Sequence, residues 1–223
     1  MKSRRPTTVF FACLLFFFSC GKISAQNFDI SSGGQPTISG ALNGSVTGSA
    51  SVQSNLSVTI NFGEISPANR NSVVKVVVPV AIRSTAPYQV AVSLSGMTGA
   101  NPQSVQPSDI GFGITNIRSM GNNAQDCANS SHIIYSPFGN DPVNTDTISA
   151  GGRVAYQSTL ANVSGSTLIL SGPRLSKSSN SVRQTNDGYI FDAIFVVTPQ
   201  FFAGGAASGT LTFTISSGPS VQC

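Results

Sequence analysis

Hydrophobic and polar positions alternate with a period of two along most of this chain, and the alternation is strongest near its C-terminal end. In Tyr189–Thr198 the odd positions Tyr189, Phe191, Ala193, Phe195 and Val197 are apolar, the spacing that places side chains on one side of a β-strand. The even positions Ile190, Ile194 and Val196 are apolar too, so this strand is expected to be central or covered on both faces. Gly209–Ser216 alternates more cleanly, with Leu211, Phe213 and Ile215 inward and Thr210, Thr212 and Thr214 outward. The Gly- and Ala-rich stretch between the two strands predicts a long hairpin.

Earlier in the chain, no charged residue occurs from Ile30 to Gly63. Within that stretch Ile38, Leu42, Val46, Ala50, Val52, Leu56, Val58, Ile60 and Phe62 all fall on even positions, with Gly40, Gly44 and Gly48 between them. A single strand of that length would exceed the usual five or six residues several-fold, so two segments are expected, broken near Ser51–Asn55. The first, Ile38–Val52, is Gly- and Ser-rich and intrinsically weak; the second, Leu56–Phe62, is a strong strand. Val73–Ile82 is a β-branched run in which Pro79 predicts an edge or a bulge. Tyr88–Leu94, Ile110–Ile117, Val154–Val163 and Thr167–Leu170 read as further strands, with Ile133–Tyr135 lying between loops. No window shows helical spacing. About nine short strands separated by turn residues indicate an all-β antiparallel sandwich.

The first residues stand apart from this pattern. Lys2, Arg4 and Arg5 precede an apolar core, Val9–Phe18, and small residues lead to Ala25, the arrangement of a secretory signal peptide. Its apolar run of about ten residues is short of the roughly 20 needed to span a bilayer. The expected organisation is a signal over 1–25, an N-terminal extension over 26–54 and a β-sandwich domain over 55–223. The protein is therefore expected to be exported, to the periplasm, the cell surface or the extracellular space. The run Phe17-Phe18-Ser19-Cys20-Gly21 offers a second processing route, lipidation at Cys20, and only that route would bring a membrane contact.

Export changes the charge balance. Four of the 12 basic residues lie before Ala25, leaving eight against the eight acidic ones and a net charge of zero. Such a chain lacks the basic footprint of a nucleic-acid binder. Little like-charge repulsion would oppose its association with copies of itself. Cys13 and Cys20 belong to the leader region, which leaves Cys127 and Cys223. In an oxidising compartment these two are expected to form a disulfide, with free thiols or a bridge between chains through Cys223 as the alternatives. An intramolecular bridge would close a loop of about a hundred residues, for roughly 4–5 kcal/mol.

Chemistry is sparse. His132 is the single histidine, which excludes a site built from several imidazoles, and no G-x-S-x-G accompanies the many serines. It is expected to be a surface residue at a strand end, and the chain to be non-enzymatic. Asp141, Asn144 and Asp146 carry oxygen ligands but lack EF-hand spacing. Gly111-Phe112-Gly113 lacks the third glycine of a dinucleotide loop. No metal or cofactor is expected. Tyr88, Tyr135, Tyr156 and Tyr189 could stack on sugars, although their scatter over four predicted segments suits core-edge positions better. Arg153, Arg174, Lys177 and Arg183 fall in turns and loops.

At the closing strands the sequence resembles the C-terminal part of chaperone–usher pilus subunits: Phe195, the connection Gly204-Gly205-Ala206-Ala207-Ser208-Gly209, and Thr210-Leu211-Thr212-Phe213-Thr214-Ile215. Ile60–Glu64 and Tyr88–Ser93 are similar to strand-and-turn phrases of the spore-coat-U-like secreted pilins. The sequence departs from that pattern where Ser216, Ser217 and Gly218 replace a closing aromatic, and where the usual early disulfide is missing. The resemblance implies an incomplete immunoglobulin-like sandwich completed by a strand from a neighbour, with main-chain hydrogen bonds giving affinity and alternate side chains filling pockets. Ile38, Leu42 and Val46 would then be the donor side chains; the alternative for 26–54 is a flexible linker. The implied function is a secreted structural subunit of a surface fibre, partnered by other subunits and by a periplasmic chaperone. The alternative is a monomeric, lipid-tethered β-sandwich adhesin or ligand-binding module.

Overall fold

Strong β-formers at alternate positions build two antiparallel sheets that face each other across one apolar core, an all-β sandwich. The computed structural model describes residues 28–40, 45–48, 54–64, 73–97, 104–120, 132–142, 147–148, 154–175, 188–198 and 206–221. The first sheet contains β1 (Phe28–Ser32), β2 (Thr37–Ser39), β5 (Val74–Ser84), β7 (Ile110–Met120) and β12 (Gly188–Val197). Its order is β1-β5-β12-β7, with β2 lying on the same edge of β5 as β1. The second sheet contains β3 (Ser45–Gly48), β4 (Asn55–Glu64), β6 (Tyr88–Ser95), β8 (Ile133–Ile134), β11 (Thr167–Gly172) and β13 (Ala206–Ser217). Its order is β3-β4-β13-β6-β11-β8. A separate two-stranded pair joins β9 (Thr147–Ile148) and β10 (Val154–Ala155).

The two C-terminal strands do not form the expected hairpin. β12 lies between β5 and β7 in the first sheet, and β13 lies between β4 and β6 in the second. They meet across the core instead, where the Phe191 and Phe213 rings are 6.2 Å apart. Each is an inner strand of its own sheet, a position that rewards long uninterrupted alternation. On β12 the odd positions point into the core, and Phe195 stacks on Phe112 at 5.2 Å. The even positions Ile194 and Val196 are buried on the outer face under Tyr156, beside Val73, Val77 and Val154.

Tyr156 arrives there by a route the sequence did not predict. Of the expected strand Val154–Val163, only Val154–Ala155 is strand; the chain then turns around the edge of β7 and enters a 3₁₀ helix at Leu160–Asn162. The alternation is present, because Tyr156, Ser158 and Leu160 are all buried. Its residues serve three different surroundings: Tyr156 the outer face, Ser158 the backbone of Phe112, and Leu160 the main core. The Phe112 amide donates to the Ser158 carbonyl at 3.0 Å, and the Ile114 amide to the Phe138 carbonyl at 2.8 Å, so loops seal this edge. The close approach explains Gly111 and Gly113, since a Cβ on Gly113 would lie 2.0 Å from the Asn140 carbonyl oxygen.

The outer face of the second sheet is polar and built from hydroxyls. Ser57 and Thr212 share a hydrogen bond at 3.1 Å and Thr59 and Thr210 one at 2.9 Å, while the Thr214 hydroxyl donates to Asn55 Oδ1 at 2.7 Å. Such cross-strand pairs stabilise a sheet by a few tenths of a kcal/mol each, on the order of 0.2–1. The larger contribution comes from the core. Replacing Phe195 by Ala is expected to destabilise the protein by about 3–5 kcal/mol. In urea unfolding this reads as a lowered midpoint at unchanged m-value, whereas the same change at the exposed Ile133 should stay within about 0.5 kcal/mol.

Candidate functional site: the N-terminal arm

Residues 28–40 run along the edge of one sheet and residues 45–48 along the edge of the other, on one flank of the sandwich. β1 pairs with β5 in the register Phe28↔Ser84 to Ser32↔Val80. Ile30 points into the core and is fully buried, while Asp29 and Ser31 point outward toward Arg83. β2 resumes on the same edge as Thr37↔Val77 to Ser39↔Lys75, and β3 pairs with β4 as Ser45↔Asn61 to Gly48↔Val58. The arm therefore caps both β5 and β4.

The break between β1 and β2 has a specific cause in Pro79. Proline has no N–H to give a neighbouring strand. Its carbonyl accepts from the Gly33 amide at 2.8 Å, so the side of Pro79 that lacks a donor faces the arm. Beyond that bond Gly34–Pro36 leaves β5, and the register shifts before β2 begins. The sequence expectation of an edge or a bulge at Pro79 is corrected in one respect. β5 is an inner strand, flanked by the arm and by β12, and the interruption falls in its partner. Gly33 packs closely, since a Cβ there would sit 3.1 Å from Ile190 and 3.2 Å from the Ala81 amide nitrogen. Gly40, at φ +99°, ends β2 where a Cβ would press on the Val73 carbonyl.

The flank under the arm is incompletely filled. A cleft of about 300 Å³ opens between the two sheets, lined by Gly34, Gln35 and Pro36 at its mouth and by Val46, Leu56 and Val78 deeper in. Of the donor side chains suggested by the resemblance, Ile38 lies opposite buried Val76 and is still 39% exposed, and Val46 packs against the core opposite Ile60. Both belong to strands paired within their own chain. Leu42 lies outside the described residues, as do Cys20, Cys127 and Cys223.

Charge concentrates on the outer side of the first sheet. Arg83 Nη1 donates to Asp29 Oδ2 at 3.1 Å and to Ser31 Oγ at 3.4 Å, and Nη2 reaches the Met120 sulfur at 3.4 Å. The Asp29 and Arg83 side chains are 8% and 16% exposed, so this pair is largely withdrawn from water. Across the sheet, Arg118 donates to Asp192 at 3.0 Å. Asn116 sits in a bulge of β7 at φ 54° and donates to the other Asp192 oxygen at 2.7 Å. Lys75 holds Asp141 at 2.6 Å, which gives that carboxylate a protein partner; Asn144 and Asp146 of the suspected oxygen cluster lie outside the described residues.

His132 is not at the surface. It is buried at the end of the core, edge-on to Tyr189 at 4.8 Å and 6.0 Å from the Tyr88 ring. Gly172 leaves room for this cluster, since a Cβ there would lie 2.5 Å from the Tyr88 hydroxyl and 2.6 Å from the imidazole. A two-residue strand following a lone histidine gave no sequence signal that this end of the sandwich is packed. The tyrosines form no shared binding surface: Tyr88, Tyr156 and Tyr189 are buried, Tyr156 bonds Thr198 at 2.7 Å, and half-buried Tyr135 bonds Ser171 at 3.0 Å. Arg174 is exposed, and Arg153, Lys177 and Arg183 lie outside the described residues.

The Tyr88 hydroxyl is buried with no hydrogen-bond partner among the described residues. Burial, reinforced by neighbouring Tyr189, pushes its pKa well above the usual tyrosine value. A raised acid pKa means that the folded state keeps a proton the unfolded chain has lost. The stability it contributes is therefore complete below pH about 10 and declines as pH rises beyond it. Tyr88→Phe is expected to be near neutral in stability at pH 8 and more stable than wild type at pH 11, read from urea midpoints at the two pH values. An identical pH response in both proteins would refute this. Compared with family models, with curated proteins and with solved structures, the chain matches none.

Proposed function

We propose that this protein is an exported, non-enzymatic structural subunit of a surface fibre, and that copies associate by exchanging the N-terminal arm, residues 28–48. The observation that carries this reading is the arm itself: one segment covers the edges of both β5 and β4 on the same flank. If the arm departs, two strand edges and the buried side chains of Leu56, Val58 and Val78 behind it are left without cover. A second copy's arm presents the same backbone pattern and the same side chains, so it can fill the place without any new complementarity.

Several features support the reading. The arm is weakly held, with short strands, an interruption at Gly33–Pro36 and a β2 whose three residues are all exposed. Elements that open at low cost have few buried apolar contacts and solvent-exposed backbone hydrogen bonds. A net charge of zero after loss of the leader allows close association. Before assembly, a periplasmic chaperone would serve to cover the exposed edges. The competing reading, a monomeric adhesin or ligand-binding module tethered through Cys20, keeps the arm on its own chain.

Ser31 and Ala81 are directly paired partners on β1 and β5. The variant Ser31→Cys/Ala81→Cys, with Cys127 and Cys223 replaced by Ser, records the arm's location on oxidation. Exchange predicts covalent multimers on non-reducing gels that increase with protein concentration and vanish on reduction. A cross-link confined to the monomer at every concentration would overturn the proposal in favour of the module.

A further inference from the structure

The exchange reading leaves a question of register, and the inference drawn here rests on that reading. Strand register is set by the apolar pattern only when the pattern is unique. The arm's pattern is not. Ile38, Leu42 and Val46 recur every four residues, with Gly40, Gly44 and Gly48 at the intermediate even positions. Within 38–48 a slip of four residues therefore places an apolar residue on an apolar site and a glycine on a glycine, whereas in β1 it would set Gly34 in the buried place of Ile30. By hydrophobicity alone, the 38–48 part has nearly equivalent registers, and the alignment information lies in β1.

Charge breaks this degeneracy. Asp29 is the only charged residue from Phe28 to Gly63. β5 carries two cations, Lys75 and Arg83, and Lys75 is held by Asp141 at 2.6 Å. Arg83 is thus the cation on this edge that faces the arm, and it reaches Asp29 at 3.1 Å and Ser31 at 3.4 Å. Because the guanidinium is largely withdrawn from water, a slipped arm would set a neutral residue against it and leave it poorly paired. The break opposite Pro79 acts in the same direction, since the observed register puts the interruption that begins after Gly33 beside the missing N–H.

We infer that Asp29 and Arg83 form the recognition pair for arm exchange: Asp29 of an incoming arm selects Arg83 of the receiving copy, which fixes the register and restricts the partner to a second copy of this chain. Pairings of this kind act by penalising wrong alignments as much as by favouring the right one. The pair sits on β1 and β5, so it re-forms between chains when the arm moves.

Charge reversal tests this. Asp29→Arg and Arg83→Asp, separately, put like charges against each other in every homotypic pairing, and each should lower assembly at least ten-fold. Mixed, the two variants should assemble with strict alternation, because each arm matches only the other chain's edge. Should either single variant fail to fold, the double variant Asp29→Arg/Arg83→Asp answers the question by itself. It should assemble with itself and exclude wild type, read by two-colour co-sedimentation. Free co-assembly of the double variant with wild type would sink the recognition pair while leaving exchange intact. Absence of intermolecular cross-links in the Ser31→Cys/Ala81→Cys protein would instead remove exchange itself, and the recognition pair with it.

Discussion

A β-sheet ends in a row of backbone N–H and C=O groups that need partners, and the arrangement of this molecule follows from how each edge is covered. Unpaired edges invite association with other chains. On the β7 side, loops at 136–140 and 158–159 supply the partners, and Gly111 and Gly113 allow them to approach. On the β11 side, the two residues of β8 suffice, with Tyr135 donating its amide to the Ile169 carbonyl. On the remaining flank the cover, among the described residues, is strand rather than loop. One segment from the start of the chain crosses from β5 to β4 and covers both edges.

The separation of charge between the two sheets follows from the same economy of contacts. The six strands of the second sheet carry a single charged residue, Glu64. Hydroxyls do the surface work there, bonding across strands where a long charged side chain would lose conformational freedom. Among the described residues, the ion pairs Asp29–Arg83, Arg118–Asp192 and Lys75–Asp141 all involve strands of the first sheet. Each ties together elements far apart in the chain: arm to β5, β7 to β12, and β5 to the loop after β8. Isolated pairs of this kind contribute little to net stability, and their better-attested role is to specify which alignment is adopted.

Much of this was legible in the sequence, and the failures have identifiable causes. β4, β6, β12 and β13 stand where alternation predicts them, because strong apolar periodicity leaves a strand one way to face a core. The hydrophobic even positions of β12 correctly signalled a covered strand, although nothing local could name Tyr156 as the cover. The hairpin between β12 and β13 was misread because neighbouring strands pair by default, and only the competition of β4, β5, β6 and β7 for those edges places them in opposite sheets. Val154–Val163 was misread because alternation records which side chains are buried, and says nothing about whether they are buried by one sheet or by three separate surfaces. Pro79 was half legible: its missing N–H demanded a gap, and the gap falls in the partner strand. His132 was misplaced because its burial depends on Gly172, Tyr88 and Tyr189, which are distant in sequence.

Under the exchange reading the arm must leave its place, and it then faces opposing demands. Strong pairing would hold it permanently to its own chain, and weak uniform pairing would let it settle in the wrong register on another. The observed segment meets both by separating affinity from alignment. Its strands are short and interrupted, and Ile38 stays partly in solvent. In that reading alignment would fall to two features that add little affinity: one shielded ion pair and one proline opposite a break in the arm. Under the exchange reading this division lets the arm dissociate readily and still find one register, which a longer apolar strand could not do. The low-complexity composition of residues 30–63 then has a physical purpose, since a segment with little alignment information of its own can be governed by a single charge placed at its start.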